Sequence, residues 1–133
     1  VIIDEARNPA SEHPFKGDVD LAKLQKVIDE VGAEHIPYVC IATAVNMAGG
    51  QPISLGNLRK VRELTGKHGI RIIHDATRVA ENAYFVKERE PGCADMSVSE
   101  IVRRTSIRTP SRRRRWPPRS TSTAACAPWS VAT

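Results

Sequence analysis

The sequence is poor in cysteine, has no long apolar run, and its last 31 residues contain no acid, no lysine and no glycine. Three cysteines, Cys40, Cys93 and Cys126, make an odd count without metal-ligand spacing. That argues against a disulfide framework and a zinc site, and it suits a reducing cytoplasm. No window approaches the roughly 18 consecutive apolar residues of a membrane span. The chain opens on Val1 rather than Met, without a basic, apolar, small-residue leader, so it is expected to start inside a longer protein. Gly49-Gly50 lacks the spacing of a nucleotide-binding glycine loop.

What is present falls into two parts. The 133 residues carry 20 basic and 15 acidic side chains, a net charge of +5, in a length that suits one modest domain. Residues 1–102 hold 12 Lys or Arg and all 15 acids, for −3. Residues 103–133 hold eight Arg and no acid, for +8, and 26 of those 31 residues are Arg, Ser, Thr, Pro or Ala. The expected organisation is a partial domain over 1–102 and a basic tail over 103–133. With little apolar surface to offset the entropy of ordering, the tail is expected to be disordered.

The body reads as alternating strands and helices. Val1-Ile2-Ile3 looks like the end of a strand, followed by a polar connection from Asp4 to Asp20. Leu21, Leu24, Ile28 and Val31 recur at helical spacing, with Asp18 or Asp20 as N-cap and Gly32 as the stop. The β-branched run from Tyr38 to Val45 predicts a strand buried on both faces, as in a parallel sheet. A turn over Asn46 to Pro52 precedes a helix capped by Ser54, carrying Leu55, Leu58, Val61 and Leu64 and ending at Gly69. Ile70 to Asp75 is a second short strand, so strand, helix and strand form a βαβ unit. A helix is predicted over Glu81 to Glu90, and Ser97 with Glu100 forms a capping box for another that continues past Val102. The fold class is α/β.

Ligands of open α/β sheets bind beyond the carboxyl ends of the strands. Asn46 follows the first strand there, Asp75 ends the second, and Arg78 stands three residues on. A carboxylate, an amide and a guanidinium at such a crevice suit a planar, anionic, nitrogen-containing ligand: the carboxylate could keep a ring nitrogen protonated while the donors hold a phenolate oxygen. Each group has a plainer reading. Asp75 could be a helix cap or a magnesium ligand, and Asn46 a turn residue. Arg78 could be a surface ion pair with Glu81 worth under ~1 kcal/mol. His68 and His74 have no partner in view, and Cys40, mid-strand, reads as core.

Four stretches carry the reading further: Phe15-Lys16-Gly17-Asp18, the run from Val45 to Ser54 (VNMAGGQPIS), Asp75-Ala76-Thr77-Arg78 and Glu81-Asn82-Ala83-Tyr84-Phe85. In order and spacing they resemble the pyridoxal-phosphate-dependent β-eliminating lyases, the tyrosine phenol-lyase and tryptophanase family, from about Val1 to about Val102. The resemblance implies part of the large domain of a fold-type I, aspartate-aminotransferase-like enzyme with parallel strands. It implies pyridoxal 5'-phosphate as cofactor. Asp75 would pair with the pyridinium nitrogen, Asn46 and Arg78 would lie near the ring oxygen, and Thr77 against the ring face. Keeping the ring nitrogen charged makes the ring an electron sink for a substrate carbanion. The implied reaction converts tyrosine to phenol, or tryptophan to indole, with pyruvate and ammonia. The family also implies a cytoplasmic homotetramer that needs potassium and takes an aromatic amino acid. Asp75-Ala76-Thr77-Arg78, Val61-Arg62-Glu63-Leu64-Thr65 and Lys23-Leu24-Gln25-Lys26 look more like tyrosine phenol-lyase. Ile36-Pro37-Tyr38 and Lys87-Glu88-Arg89-Glu90 look more like tryptophanase, so the lean to the former is slight.

The chain departs from the family just after Val102 or Arg103. The family's Schiff-base lysine belongs to a Ser-x-Lys-Lys motif downstream of Asp75, whereas the last lysine here is Lys87 and the tail reads Arg112 to Arg115, Trp116, Pro117, Pro118 and Arg119. No catalytic residue is therefore assigned, no metal ligand is assigned, and the chain alone is expected to be inactive. The favoured reading of the tail is a shifted reading frame, since GC-rich codons read out of phase give Arg, Pro, Ser, Thr and Ala. The alternative is a non-enzymatic, basic-tailed protein whose arginines and Trp116 meet nucleic acid.

Overall fold

The computed structural model describes residues 1–44 and 49–106. Within them α1 (Leu21–Val31), β1 (Tyr38–Ala42), α2 (Leu55–Lys67), β2 (Arg71–Asp75), α3 (Val79–Arg89) and α4 (Val98–Thr105) follow in order. Each helix begins or ends where local chemistry dictates. The Asp20 carboxylate accepts from Lys23 N at 3.0 Å, and Gly32, at φ +85°, ends α1. Ser54 Oγ accepts from Asn57 N at 3.0 Å to open α2. Beyond His68, Gly69 takes φ +68° and Ile70 N donates back to Thr65 O at 2.9 Å, turning the chain into β2. Ser97 Oγ accepts from Glu100 N at 3.2 Å, the first half of a capping box. Glu100 spends its carboxylate on Arg104 instead, at 2.7 Å.

β1 and β2 pair in parallel, from Tyr38 opposite Arg71 to Ala42 opposite Asp75, so the predicted βαβ unit is present. α2 packs on β2, α1 and α4 pack on α2, and α3 lies along α4. The buried set Leu24, Ile28, Ile41, Ile53, Leu58, Val61, Val86 and Ile101 joins them in one core. Val39 and Ile72 are partly buried against it, so one face of the sheet meets the helices.

Several expectations are corrected. Val1-Ile2-Ile3 forms no strand: Ile3 N makes one bond, to Asp18 O at 3.1 Å, and a single bond to a loop makes no ladder. β1 stops at Ala42, and Ala44 already has a left-handed φ of 55°. β1 is not buried on both faces either. Tyr38 is 49% exposed and Ile73 48%, and Cys40 is exposed rather than core. Among the described residues only one face of the sheet is covered, so side chains that alternate outward meet solvent. Of the two N-cap candidates for α1, Asp20 is the one used, as the reading allowed. α3 starts at Val79, two residues before its predicted start. The tail beyond Ser106, for which disorder was expected, and Val45 to Ala48 lie outside the described residues.

Candidate functional site

The parallel register brings the ends of β1 and β2 level, and Thr43 fastens them: its N–H and its hydroxyl both donate to Asp75 O, each at 3.1 Å. The Asp75 side chain projects from this end and is exposed. Its Oδ1 accepts from the Thr77 hydroxyl at 2.6 Å and from Thr77 N at 3.0 Å. Among the described residues Oδ2 accepts no bond. These two bonds, the hydroxyl first, hold the carboxyl below the ordinary aspartate range, with His74 adding a smaller pull. Asp75 is thus an ionised carboxylate with one oxygen oriented by Thr77 and the other without a partner among the described residues. His74, the residue before it, has a buried Nε2 with no hydrogen-bond partner among the described residues. Burial holds its imidazole below the ordinary histidine pKa, which keeps it neutral at pH 7.

Arg78 makes the predicted ion pair, Nε to Glu81 Oε1 at 3.2 Å. Its guanidinium also stands against the loop that follows β1. A Cβ placed on Gly50 would lie 3.0 Å from Arg78 Nη1, and Gly50 takes φ +73°. A side chain there would be both strained and in the way. Asn46, the third predicted polar group, lies outside the described residues. Asp75, Thr77 and Arg78 are brought together at the strand ends, with Gly50 as the neighbouring loop's contribution.

The segment from Gly50 to Ser54 is gripped at nearly every residue. A Cβ on Gly17 would fall 2.5 Å from Gln51 O and 2.8 Å from Pro52 O, and Gly17 N donates to Pro52 O at 2.9 Å. Asn82, fully buried in α3, accepts from Ile53 N at 2.9 Å and donates Nδ2 to Ile53 O at 3.0 Å. Asp18 accepts from Ser54 N at 2.7 Å and from Ser54 Oγ at 3.1 Å. Burial raises the Asp18 pKa above the ordinary range, outweighing the two bonds from Ser54 that lower it. The four stretches singled out in the sequence therefore converge on one another in space.

Next to this segment the N-terminus of α2 is already filled. Leu55 N and Gly56 N donate to the two Glu90 carboxylate oxygens at 2.8 and 2.9 Å, and Asn57 N donates to Ser54 Oγ. The helix end that would attract a ligand anion is satisfied by the chain's own carboxylate. Lys87 is committed as well, donating Nζ to Ala94 O at 2.6 Å and Met96 O at 2.9 Å. Sequence reasoning missed Gly17, Asn82 and Glu90 as individuals. Gly17 and Asn82 stood inside quoted motifs, but nothing local marks Glu90 as a cap for a helix 34 or 35 residues earlier. Among the described residues no group of three His, Cys, Asp or Glu is placed to hold a metal ion. No helix among them is long and apolar enough to cross a membrane.

The α/β unit thus carries an oriented carboxylate, a hydroxyl and a guanidinium beyond the ends of its parallel strands, the place where open α/β sheets bind ligands. The family model described as "Beta-eliminating lyase" matches residues 1–107, and the chain belongs to that family, of fold type I. A tyrosine phenol-lyase of Fusobacterium nucleatum is 61% identical over 102 residues, covering 77% of this chain and 22% of the relative. Those of Clostridium tetani and Intrasporangium calvum are 58% and 61% identical over 102 and 103 residues, with the same coverage. The chain thus spans 22% of the length of the curated relatives it matches.

Proposed function

We propose that this chain is a segment of a pyridoxal-phosphate-dependent carbon–carbon lyase acting on an aromatic amino acid, of the tyrosine phenol-lyase type. The observation that carries the reading is Asp75: ionised, exposed, with Oδ1 fixed by Thr77 and Oδ2 accepting nothing among the described residues. That arrangement fits a partner that must keep a ring nitrogen protonated. Thr77 would lie against the ring face, and Arg78, backed by Gly50 and Glu81, would donate to the ring oxygen together with Asn46. When bound, the cofactor supplies an electron-withdrawing ring that stabilises negative charge at the substrate Cα. Asp75 holds the proton on the ring nitrogen, and the Thr77 hydroxyl holds Asp75. Potassium, a homotetrameric assembly and a cytoplasmic location belong to this proposal for the intact enzyme.

The 133 residues contain no Ser-x-Lys-Lys motif, and the last lysine, Lys87, is tied to backbone carbonyls. The chain by itself is therefore predicted to form no pyruvate from tyrosine or tryptophan. The direct test grafts residues 1–102 into the Fusobacterium nucleatum tyrosine phenol-lyase in place of the matching 102 residues. The graft is expected to release phenol, pyruvate and ammonia from tyrosine, and Asp75→Asn in it to lower turnover by orders of magnitude. A graft that folds and takes up pyridoxal phosphate yet makes no pyruvate from either amino acid overturns the reading.

Residues 1–102 are proposed as the partial lyase domain and 103–133 as a stretch read in a shifted frame. The family match stops at residue 107, where the composition has already changed. Sequencing the coding DNA across Ser99 to Thr133 tests this, because another frame should restore a Ser-x-Lys-Lys motif. If none does, the tail is genuine. Salt-sensitive nucleic-acid binding, lost when Arg112 to Arg115 become Ala, is then the competing function.

A further inference from the structure

We propose that Asn82 is a positioning residue for the ligand end of the molecule: acting through Ile53 and the Gly49–Gly50 turn, its carboxamide sets where Arg78 stands. The connections form a closed ring. Asn82 N donates to Arg78 O at 3.0 Å, so the two residues share the first turn of α3. The Asn82 carboxamide clamps both backbone groups of Ile53, at 2.9 and 3.0 Å. Three residues before Ile53, Gly50 brings the chain back against the Arg78 guanidinium. The loop after β1 and the loop after β2 are thereby tied by one buried side chain. Between Gly50 and Ile53 the chain is also held from another side, where Gly17 N donates to Pro52 O at 2.9 Å. On this proposal a displacement at Ile53 passes along that short, held segment to Gly50 and Arg78.

The bland account is that Asn82 merely satisfies a buried peptide group, as any buried polar contact must. The two accounts differ in reach. If the clamp only fills a local need, disturbing it alters Ile53 and its packing. If it positions Arg78, the disturbance appears three residues away and across the interloop contact. What Arg78 faces rests on the lyase reading above, whereas the coupling itself is a property of the cofactor-free chain.

Asn82→Asp is the discriminating variant. It keeps the size and the acceptor for Ile53 N but turns the donor into a second carboxylate oxygen facing Ile53 O. Protonation of that carboxyl restores the donor, so the clamp becomes switchable by pH. In the ¹⁵N-labelled 133-residue chain, the expected result at pH 7.5 is a shift of the Gly50 amide and the Arg78 Nε–Hε signals beyond the line width. Compared at each pH with the unsubstituted chain, which cancels the titration of the neighbouring Asp18, Asp75 and Glu81, both differences should shrink as the pH is lowered and the new carboxyl is protonated. Movement of the Ile53 signals with Gly50 and Arg78 unmoved overturns the proposal. Gly50→Ala probes the ring from the other end and keeps the test decisive should Asn82→Asp not fold. Its Cβ, 3.0 Å from Arg78 Nη1, should move the Asn82 side-chain amide signals, and unmoved signals there also overturn the coupling. Failure of the graft to form pyruvate would remove the lyase reading while leaving this result intact.

Discussion

Two carboxylates near the carboxyl end of the sheet show how one side-chain type serves opposite ends. Asp18 is partly buried and both of its oxygens are occupied, by Ser54 N and Ser54 Oγ. Asp75 is exposed, with one oxygen held by Thr77 and the other accepting nothing among the described residues. Their pKa values move in opposite directions, Asp18 upward through burial and Asp75 downward through the Thr77 hydroxyl. The Asp18 carboxylate is consumed by its own chain, whereas that of Asp75 is oriented through one oxygen, as the proposed ligand role requires.

The comparison can be broken most severely at Gly17. Gly17→Ala places a Cβ 2.5 Å from a backbone oxygen that neighbouring contacts hold in place. The substitution is expected to cost about 3 kcal/mol, read as a lowered urea midpoint. Glu90→Ala comes next. It strips the acceptors from Leu55 N and Gly56 N and should cost about 1–2 kcal/mol. The far-ultraviolet helix signal should be lost earlier in the same melt.

The smallest effect sharpens the comparison instead of breaking it. Carboxyl titrations followed by NMR should place Asp18 above, and Asp75 below, the ordinary aspartate value. The stability consequences have opposite signs. The folded state binds the Asp18 proton more tightly than the unfolded chain does, so Asp18 adds stability as pH falls from its folded pKa toward the ordinary value. The folded state binds the Asp75 proton less tightly, so the contribution of Asp75 is present above the ordinary value and is lost as pH falls toward its folded pKa. Two titrations displaced in the same direction would erase the distinction.

The two faces of the sheet carry a similar lesson about reach. The continuous β-branched run from Tyr38 correctly predicts a strand, but it does not say which alternate residues a neighbour will cover. Cys40 and Ile73 are apolar side chains in β-strands, as core residues are, and they are exposed because the described helices cover only the other face. Which face is bare depends on what packs against the sheet, a quantity no local pattern encodes. The lyase proposal accounts for it, since the chain spans 22% of its relatives' length.

The sequence by itself determined whatever is decided within one turn or one dipeptide. Asp20, Ser54 and Ser97 cap helices through bonds to residues three positions on, and Gly32 and Gly69 end them because they tolerate positive φ. The βαβ order follows from such local signals, and motif order and spacing pointed to the family. Tertiary structure decided the contacts between residues distant in sequence: Asn82 on Ile53, Asp18 on Ser54, Glu90 on the start of α2, and Arg78 against Gly50. It also withheld a strand from Val1-Ile2-Ile3, where Ile3 bonds to Asp18 O and Ala6 N and forms no ladder. The physical reason is the range of the forces involved. Caps and turns are satisfied by the chain's nearest atoms, whereas a buried amide or carboxylate takes whichever partner the packed core brings to it.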